Sequence, residues 1–61
     1  MESIESRLKR SGSYATALIV QGQVPIKEAC EIGAKHYDID WKMVWDLLIL
    51  EKPVSEICKS S

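Results

Sequence analysis

The 61-residue sequence has no long apolar segment. Its longest uninterrupted apolar runs, Ala17–Val20 and Leu47–Leu50, are four residues each, whereas a helix that crosses a bilayer needs about 20. The chain also does not open with a basic segment followed by an apolar stretch, the pattern of a secretory signal peptide. We therefore expect an intracellular, cytoplasmic protein with no membrane partner.

Residues that bind metals and cofactors are scarce. The chain has one histidine, His36, and two cysteines, Cys30 and Cys58, and neither a Cys-x-x-Cys nor a His-x-x-x-His pair occurs. Two isolated thiols in a reducing compartment are usually small packed residues. Glycine-rich phosphate-binding loops are also missing, and so short a chain has little core to spare for a ligand cavity. We predict no metal, no cofactor and no small-molecule ligand.

Groups suited to catalysis are few. Cys30 and His36 lie six residues apart, about 240° around a helix, so they do not share a face as a nucleophile and base would. Asp38 and Asp40 flank a turn, where helix capping explains them better than acid–base chemistry does. The sequence thus supplies no catalytic residues, and we predict that the protein is not an enzyme.

Charge of one sign is not in excess. Eight Lys and Arg residues stand against nine Asp and Glu residues, a net charge of −1, so overall charge does not favour nucleic-acid binding. With 46% hydrophobic residues the chain has material for one core over residues 1–61. A domain this small buries only about 60% of the surface of its unfolded chain, and association is a common source of additional stability.

Apolar spacing predicts an all-α domain. In its central segment, apolar and small residues recur at three- and one-residue steps, as on one face of a helix: Ile26, Ala29, Cys30, Gly33, Ala34 and Tyr37. Pro25 suits a first helical turn, Asp40 suits an N-cap and Pro53 suits a helix stop. Three helices are predicted, over residues 14–22, 25–37 and 40–52.

The two ends of the chain are less regular. Ser11-Gly12-Ser13 has low helix propensity, so residues 1–13 are predicted to form a flexible arm, with Ser13 capping the next helix. The run Ala17–Val20 is assigned to a helix, because the rival assignment, a strand, would lack a pairing partner. Residues 54–61 are predicted to form a short turn and a tail.

The centre of the chain resembles a helix-turn-helix motif. That motif needs a small residue in its second helix, a left-handed turn residue, an aliphatic residue at the corner and two aliphatic anchors spaced by three. Within residues 34–48, these places fall to Ala34, Asp38, Ile39, Val44 and Leu47. Asp replaces the usual glycine of the turn, which is tolerable because Asp visits the left-handed region more readily than most residues. The resemblance implies a three-helix bundle with a helix-turn-helix-like centre.

A second alignment with the same motif is less favourable. It uses Ala29 as the small residue and Gly33 as the turn, and it keeps Ile39 at the corner. However, it places Lys42 where an aliphatic anchor belongs. We therefore prefer the alignment with Asp38 at the turn.

The third helix is apolar on nearly every side. On a helical wheel its polar stripe is narrow, consisting of Lys42 and Asp46. So small a core cannot cover the whole helix, and Trp and Met are favoured in interface cores. We predict a non-enzymatic regulator or adaptor that forms a homodimer or docks on a larger protein. Its predicted interface comprises Trp41, Met43, Trp45 and Ile49.

The alternative is a small dimeric helix-turn-helix transcriptional regulator that binds DNA. Asp40 and Asp46 on the outer face of the third helix would repel phosphate, and its bulky apolar groups lack the donors that read bases. Phosphate contacts would therefore come from a basic arm and from two lysines of the second and third helices. The candidate nucleic-acid residues are Arg7, Lys9, Arg10, Lys35 and Lys42.

Overall fold

The computed structural model describes residues 3–60, which form four helices joined by short loops. The helices are α1 (Ile4–Gly22), α2 (Ile26–His36), α3 (Trp41–Leu48) and α4 (Val54–Ser60). The first three pack as a bundle, and α4 packs against α1 and α3. Because no strand occurs between residues 3 and 60, the predicted all-α, three-helix architecture is confirmed, with one short helix added.

The first helix begins at Ile4, not at residue 14, so the predicted flexible arm is wrong for residues 4–13. Ser3 caps the helix by accepting a hydrogen bond from the Ser6 amide at 3.3 Å. The helix continues through Ser11 and Gly12 because both are buried against other helices, and such packing overrides a low intrinsic propensity. Residues 1, 2 and 61, part of the predicted arm and tail, lie outside the described residues.

The second predicted helix, 25–37, corresponds closely to α2, whereas the third ends earlier than predicted. α3 stops at Leu48 instead of residue 52 because Glu51 adopts a left-handed conformation with φ of 53°. The amide of Lys52 then folds back to donate to the carbonyl oxygen of Asp46 at 3.1 Å. This bond spans six residues and folds the chain back over the end of α3.

The predicted tail also needs correction, since residues 54–60 form α4. Pro53 precedes the helix, and its carbonyl oxygen accepts from the amide of Ile57 at 3.1 Å. Ile57 is only 4% exposed and belongs to the hydrophobic core. Burial of this side chain explains why so short a segment is helical.

Small side chains line the centre of the bundle, which lets the helices approach closely. The buried hydrophobic residues are Leu8, Ala15, Ala29, Cys30, Ala34, Met43, Val44 and Ile57. Gly33 lies inside α2 where it meets α1, and no glycine has a positive φ. Gly33 is therefore a packing residue and not the turn residue of the less favoured helix-turn-helix alignment. None of the helices in residues 3–60 has the length and apolarity needed to traverse a bilayer.

Candidate protein-interaction site

The turn between α2 and α3 determines which side chains of α3 face outward. Asp38 has φ of 58°, in the left-handed region, and the Ile39 amide then donates to the Ala34 carbonyl oxygen at 2.9 Å. Asp40 is the N-cap of α3, and its Oδ1 accepts from the Lys42 amide at 3.0 Å. A hydrogen-bonded turn followed by a capped helix start thus fixes where α3 begins.

The outer face of α3 carries an apolar surface that we call the indole stripe: Trp41, Trp45 and Ile49. These residues are four apart, so they lie above one another on a helix, and Ile49 keeps helical dihedral angles just after the last residue of α3. The two indole rings meet edge to face, with centroids 6.1 Å apart and planes at 76°. Both indoles are half-buried, and Ile49 is 39% exposed.

A cation lies beside one end of the indole stripe. The Nζ of Lys27, which comes from the first turn of α2, is 5.7 Å from the centroid of the Trp41 ring. At this distance the ring attracts the ammonium group, by about 0.5–1 kcal/mol at an exposed site. The α2 helix thus holds one side of Trp41, while Trp45 and Ile49 continue the apolar surface.

Met43 was predicted to belong to the interface, and the structure places it in the core instead. It is 7% exposed and part of the core, because it lies about 200° around the helix from Trp41 and thus faces the bundle. The helical wheel identified too many apolar residues on α3 for one core, but not which of them faces inward. Of the other three predicted interface residues, Ile49 is exposed, whereas Trp41 and Trp45 are half-buried and pack partly against the core.

A second apolar surface was not identified from the sequence. It is a groove of about 650 Å³ between α1 and the end of α3, and Val54 of α4 contributes to its lining. Its apolar lining includes Val20, Leu47, Leu48 and Val54, and Val20 is 72% exposed. The apolar run Ala17–Val20 was a signal, but only the position of α3 shows that its last residue borders a groove.

The predicted nucleic-acid residues do not form one continuous surface. Lys9 and Arg10 line a pocket on α1, whereas Lys35 lines a separate cavity together with Asp38 and Asp40. Arg7 is half-buried on α1, and Lys42 is exposed on α3. The structure therefore brings together only part of the predicted set.

An aromatic cluster beside Lys9 and Arg10 was also missed. The rings of Tyr14 and His36 are stacked, with centroids 4.8 Å apart and planes at 9°. Tyr37 meets both rings edge to face, with centroids 6.2 Å from Tyr14 and 4.9 Å from His36. The cluster joins α1 to the end of α2, a contact between segments that spacing along one helix does not reveal.

The described part of the chain holds no cluster of three side chains suited to a metal ion. Cys30 is buried and Cys58 is half-buried, and they form no disulfide. Burial raises the pKa of the Cys30 thiol above its ordinary value, and the neighbouring Glu31 carboxylate raises it further. A buried thiol with a raised pKa is a poor nucleophile, because the thiolate is the reactive form.

Comparisons of this chain with protein-family models, with curated proteins and with solved structures find no match.

Proposed function

We propose that the protein is a non-enzymatic, intracellular regulator or adaptor that works as a homodimer, with the indole stripe as the dimer interface. The observation that supports this proposal is that two indoles, although they pack partly against the core, stay only half-buried on α3 beside the exposed Ile49. Tryptophan is enriched among the residues that contribute most binding energy at protein interfaces. Its ring offers a large apolar area with few rotatable bonds.

The outer face of α3 is complementary to itself, which favours a second copy as the occupant. In an antiparallel pair about a twofold axis near Trp45, the Trp41 of one copy would lie opposite Ile49 of the other. On the flank, Lys42 would lie within one helical turn of Asp46 of the second copy, so the two side chains can pair by charge. With a net charge of −1, two copies also repel each other little.

The size of the molecule is compatible with such a dimer. An interface of standard size removes about 800 Å² from each partner, about a fifth of the 4241 Å² of surface that one copy exposes. The indole stripe would form the apolar centre of this area. Lys27, Lys42 and Asp46 would then form part of its polar rim, as in other protein interfaces.

A helix-turn-helix DNA-binding regulator is the second candidate, and the left-handed Asp38 before the capped α3 helix favours it. Under this proposal α3 would enter the major groove. The carboxylates of Asp40 and Asp46 and the bulky indoles on that face are poorly suited to contact phosphates and bases. The two proposals exclude each other at α3, because a helix covered by a second copy is not available to DNA.

The deciding experiment is sedimentation velocity over a protein concentration series, with the wild type and two variants. We expect the wild type to dimerise and Trp45→Ala to shift the dissociation constant upward by at least tenfold. Val20→Ala is the matched control, since Val20 is an exposed apolar residue outside the indole stripe. A wild type that stays monomeric, or a dimer broken by Val20→Ala and not by Trp45→Ala, contradicts the proposed interface.

The same samples test the second candidate when duplex DNA is added. DNA binding through several Lys and Arg residues should weaken by orders of magnitude between about 50 and 200 mM salt. An apolar interface should change little over that range. Salt-sensitive duplex binding that Trp45→Ala abolishes would favour the DNA-binding proposal.

A further inference from the structure

The basic pocket on α1 combines two kinds of chemistry that the indole stripe lacks. It has a volume of about 430 Å³ and is lined by Lys9, Arg10, Ser13, Tyr14 and Tyr37. Two cationic side chains thus adjoin two aromatic rings and one hydroxyl group. No carboxylate is among these lining residues, in contrast to the cavity beside Trp41, which contains Glu31, Asp38 and Asp40.

The pocket is assembled by helix geometry and not by a loop. Lys9 precedes Ser13, and Arg10 precedes Tyr14, by four residues, so each pair lies on one side of α1 in successive turns. His36 stacks flat on the Tyr14 ring at 4.8 Å, which limits the rotation of that ring. Tyr37 is held at the end of α2, where its amide donates to the Gly33 carbonyl oxygen at 3.3 Å. The two phenol rings are therefore positioned before any ligand arrives.

We propose that this pocket binds a nucleotide unit of single-stranded nucleic acid. His36 covers one face of the Tyr14 ring, and a base stacks on the phenol surface that Tyr14 and Tyr37 leave towards the pocket. Lys9 and Arg10 provide charge-assisted hydrogen bonds to the adjoining phosphate, and the Ser13 hydroxyl provides a further donor. Cationic groups alone would suit any anion, and aromatic groups alone would suit any planar ring. A nucleotide carries an anionic group and a planar ring at neighbouring positions, so it matches both.

The shape of the pocket favours a single strand of nucleic acid over other ligands of similar chemistry. Small-molecule sites usually enclose most of the ligand, whereas this pocket has walls on α1 and at the end of α2 only, and Lys9 and Ser13 are exposed. A strand gains affinity from contacts on either side of the pocket and does not need enclosure. A duplex does not present its base faces, because they are stacked within the helix.

The pocket is independent of the proposed homodimer. None of its lining residues belongs to the indole stripe or to the proposed rim of Lys27, Lys42 and Asp46, so the inference does not depend on the dimer. Failure of the homodimer proposal would therefore leave this inference intact, and the reverse also holds.

The test is fluorescence anisotropy of a labelled 15-nucleotide oligothymidylate, titrated with the full chain at 50 mM salt. Tyr37→Leu removes the ring, and we expect it to weaken binding about tenfold. Tyr37→Phe keeps the ring and should bind as the wild type does. The variant with both Lys9→Ala and Arg10→Ala should weaken binding at least tenfold and reduce the salt slope by about 1.4, the value for two lost phosphate contacts.

Matched controls separate the pocket from general attraction to a polyanion. The variant with both Lys52→Ala and Lys59→Ala removes the same charge from exposed positions outside the pocket, and its binding should stay within about twofold of wild type. Circular dichroism melting verifies that each variant is folded. Equal binding by Tyr37→Leu and Tyr37→Phe, equal or tighter binding of duplex DNA or polyglutamate, or no binding at 50 mM salt would each overturn the inference.

Discussion

Gly33 lies against the main chain of Ser11 where α2 crosses α1. A Cβ atom added at Gly33 would be 2.9 Å from the Ser11 carbonyl oxygen, closer than such atoms normally approach. Main-chain atoms in the middle of a helix cannot move aside without shifting the helix. The spacing between α1 and α2 therefore depends on the missing side chain at position 33.

Gly33→Ala is expected to destabilise the fold. The added methyl group must push α1 away, and overpacking of this kind costs about 1–3 kcal/mol. Gly12→Ala is the matched control, because the Cβ there would be 2.8 Å from Leu47 Cδ2, a side-chain end that rotates, and Ala gains about 1 kcal/mol of helix propensity over Gly. Urea unfolding measures both, and an equal or larger loss in Gly12→Ala would contradict this account of the crossing.

Asp38 is expected to be a strained turn residue that glycine would relieve. Its φ of 58° costs an L-residue roughly 1 kcal/mol or more that glycine does not incur. Asp38→Gly should therefore raise the melting temperature, and Asp38→Ala should not. Asp40→Ala serves as the contrasting variant, since losing the N-cap bond to the Lys42 amide should cost about 1 kcal/mol. A lower melting temperature for Asp38→Gly would show that the Asp38 side chain contributes more than its conformation costs.

The Cys30 thiol is expected to make stability decline at alkaline pH. Burial, followed by the Glu31 carboxylate, raises the pKa of Cys30 in the folded state, so the unfolded chain loses this proton at a lower pH than the folded protein does. The free energy of unfolding should therefore be unaffected well below about pH 8.5, the ordinary thiol value, and should fall as the pH rises beyond it.

The variant Cys30→Ala isolates this effect. Its free energy of unfolding should fall less steeply between about pH 8 and 10 than that of the wild type, whatever its absolute stability. Cys58→Ala is the comparison. The pKa of Cys58 is also raised, by burial and then by the Glu5 carboxylate, but Cys58 is only half-buried, so its removal should flatten the decline less than Cys30→Ala does. Denaturant unfolding at several pH values gives the slopes, and identical slopes for wild type and Cys30→Ala would refute the assignment.

Local signals predicted the parts of the fold that depend on neighbouring residues. The periodicity of α2, the N-cap at Asp40 and the all-α class followed from residues within a few positions of each other. The interruption predicted at Ser11-Gly12-Ser13 was wrong, because Ser11 lies against Gly33 and Gly12 lies against Leu47, and this packing keeps the segment helical. Glycine and serine lower helix propensity, but they also allow two helices to cross closely. Only the position of the other helices shows which of these effects decides the structure.

For the candidate surfaces, too, the sequence predicted features within one helix but not contacts between helices. The helical wheel placed Trp41, Trp45 and Ile49 in the predicted interface together with Met43, and Met43 was misplaced because the wheel does not show the direction of the core. The basic pocket could not be predicted, since Tyr14 and Tyr37 are distant in sequence and meet only where α1 and α2 pack. Contacts between helices are the information that spacing within one helix lacks.

The antiparallel arrangement proposed for the homodimer makes a prediction about charge reversal. Lys42 and Asp46 of one copy would lie within one helical turn of Asp46 and Lys42 of the other. Lys42→Glu places two carboxylates together in each of the two pairs, and Asp46→Lys places two ammonium groups together in each. Each single variant should weaken dimerisation, by a few-fold at low salt, because exposed ion pairs contribute about 0.2–1 kcal/mol.

The variant that combines Lys42→Glu with Asp46→Lys restores opposite charges in exchanged positions. Its dimer dissociation constant should return to within about twofold of wild type, and the differences among the variants should shrink at 0.5 M salt because the charges are screened. Lys52→Glu, an exposed charge reversal beyond the end of α3, controls for the change in net charge. Sedimentation equilibrium measures all four variants. If the combined variant is as weak as the singles or weaker, the two residues do not face each other across a twofold axis, and the antiparallel α3 pairing must be abandoned.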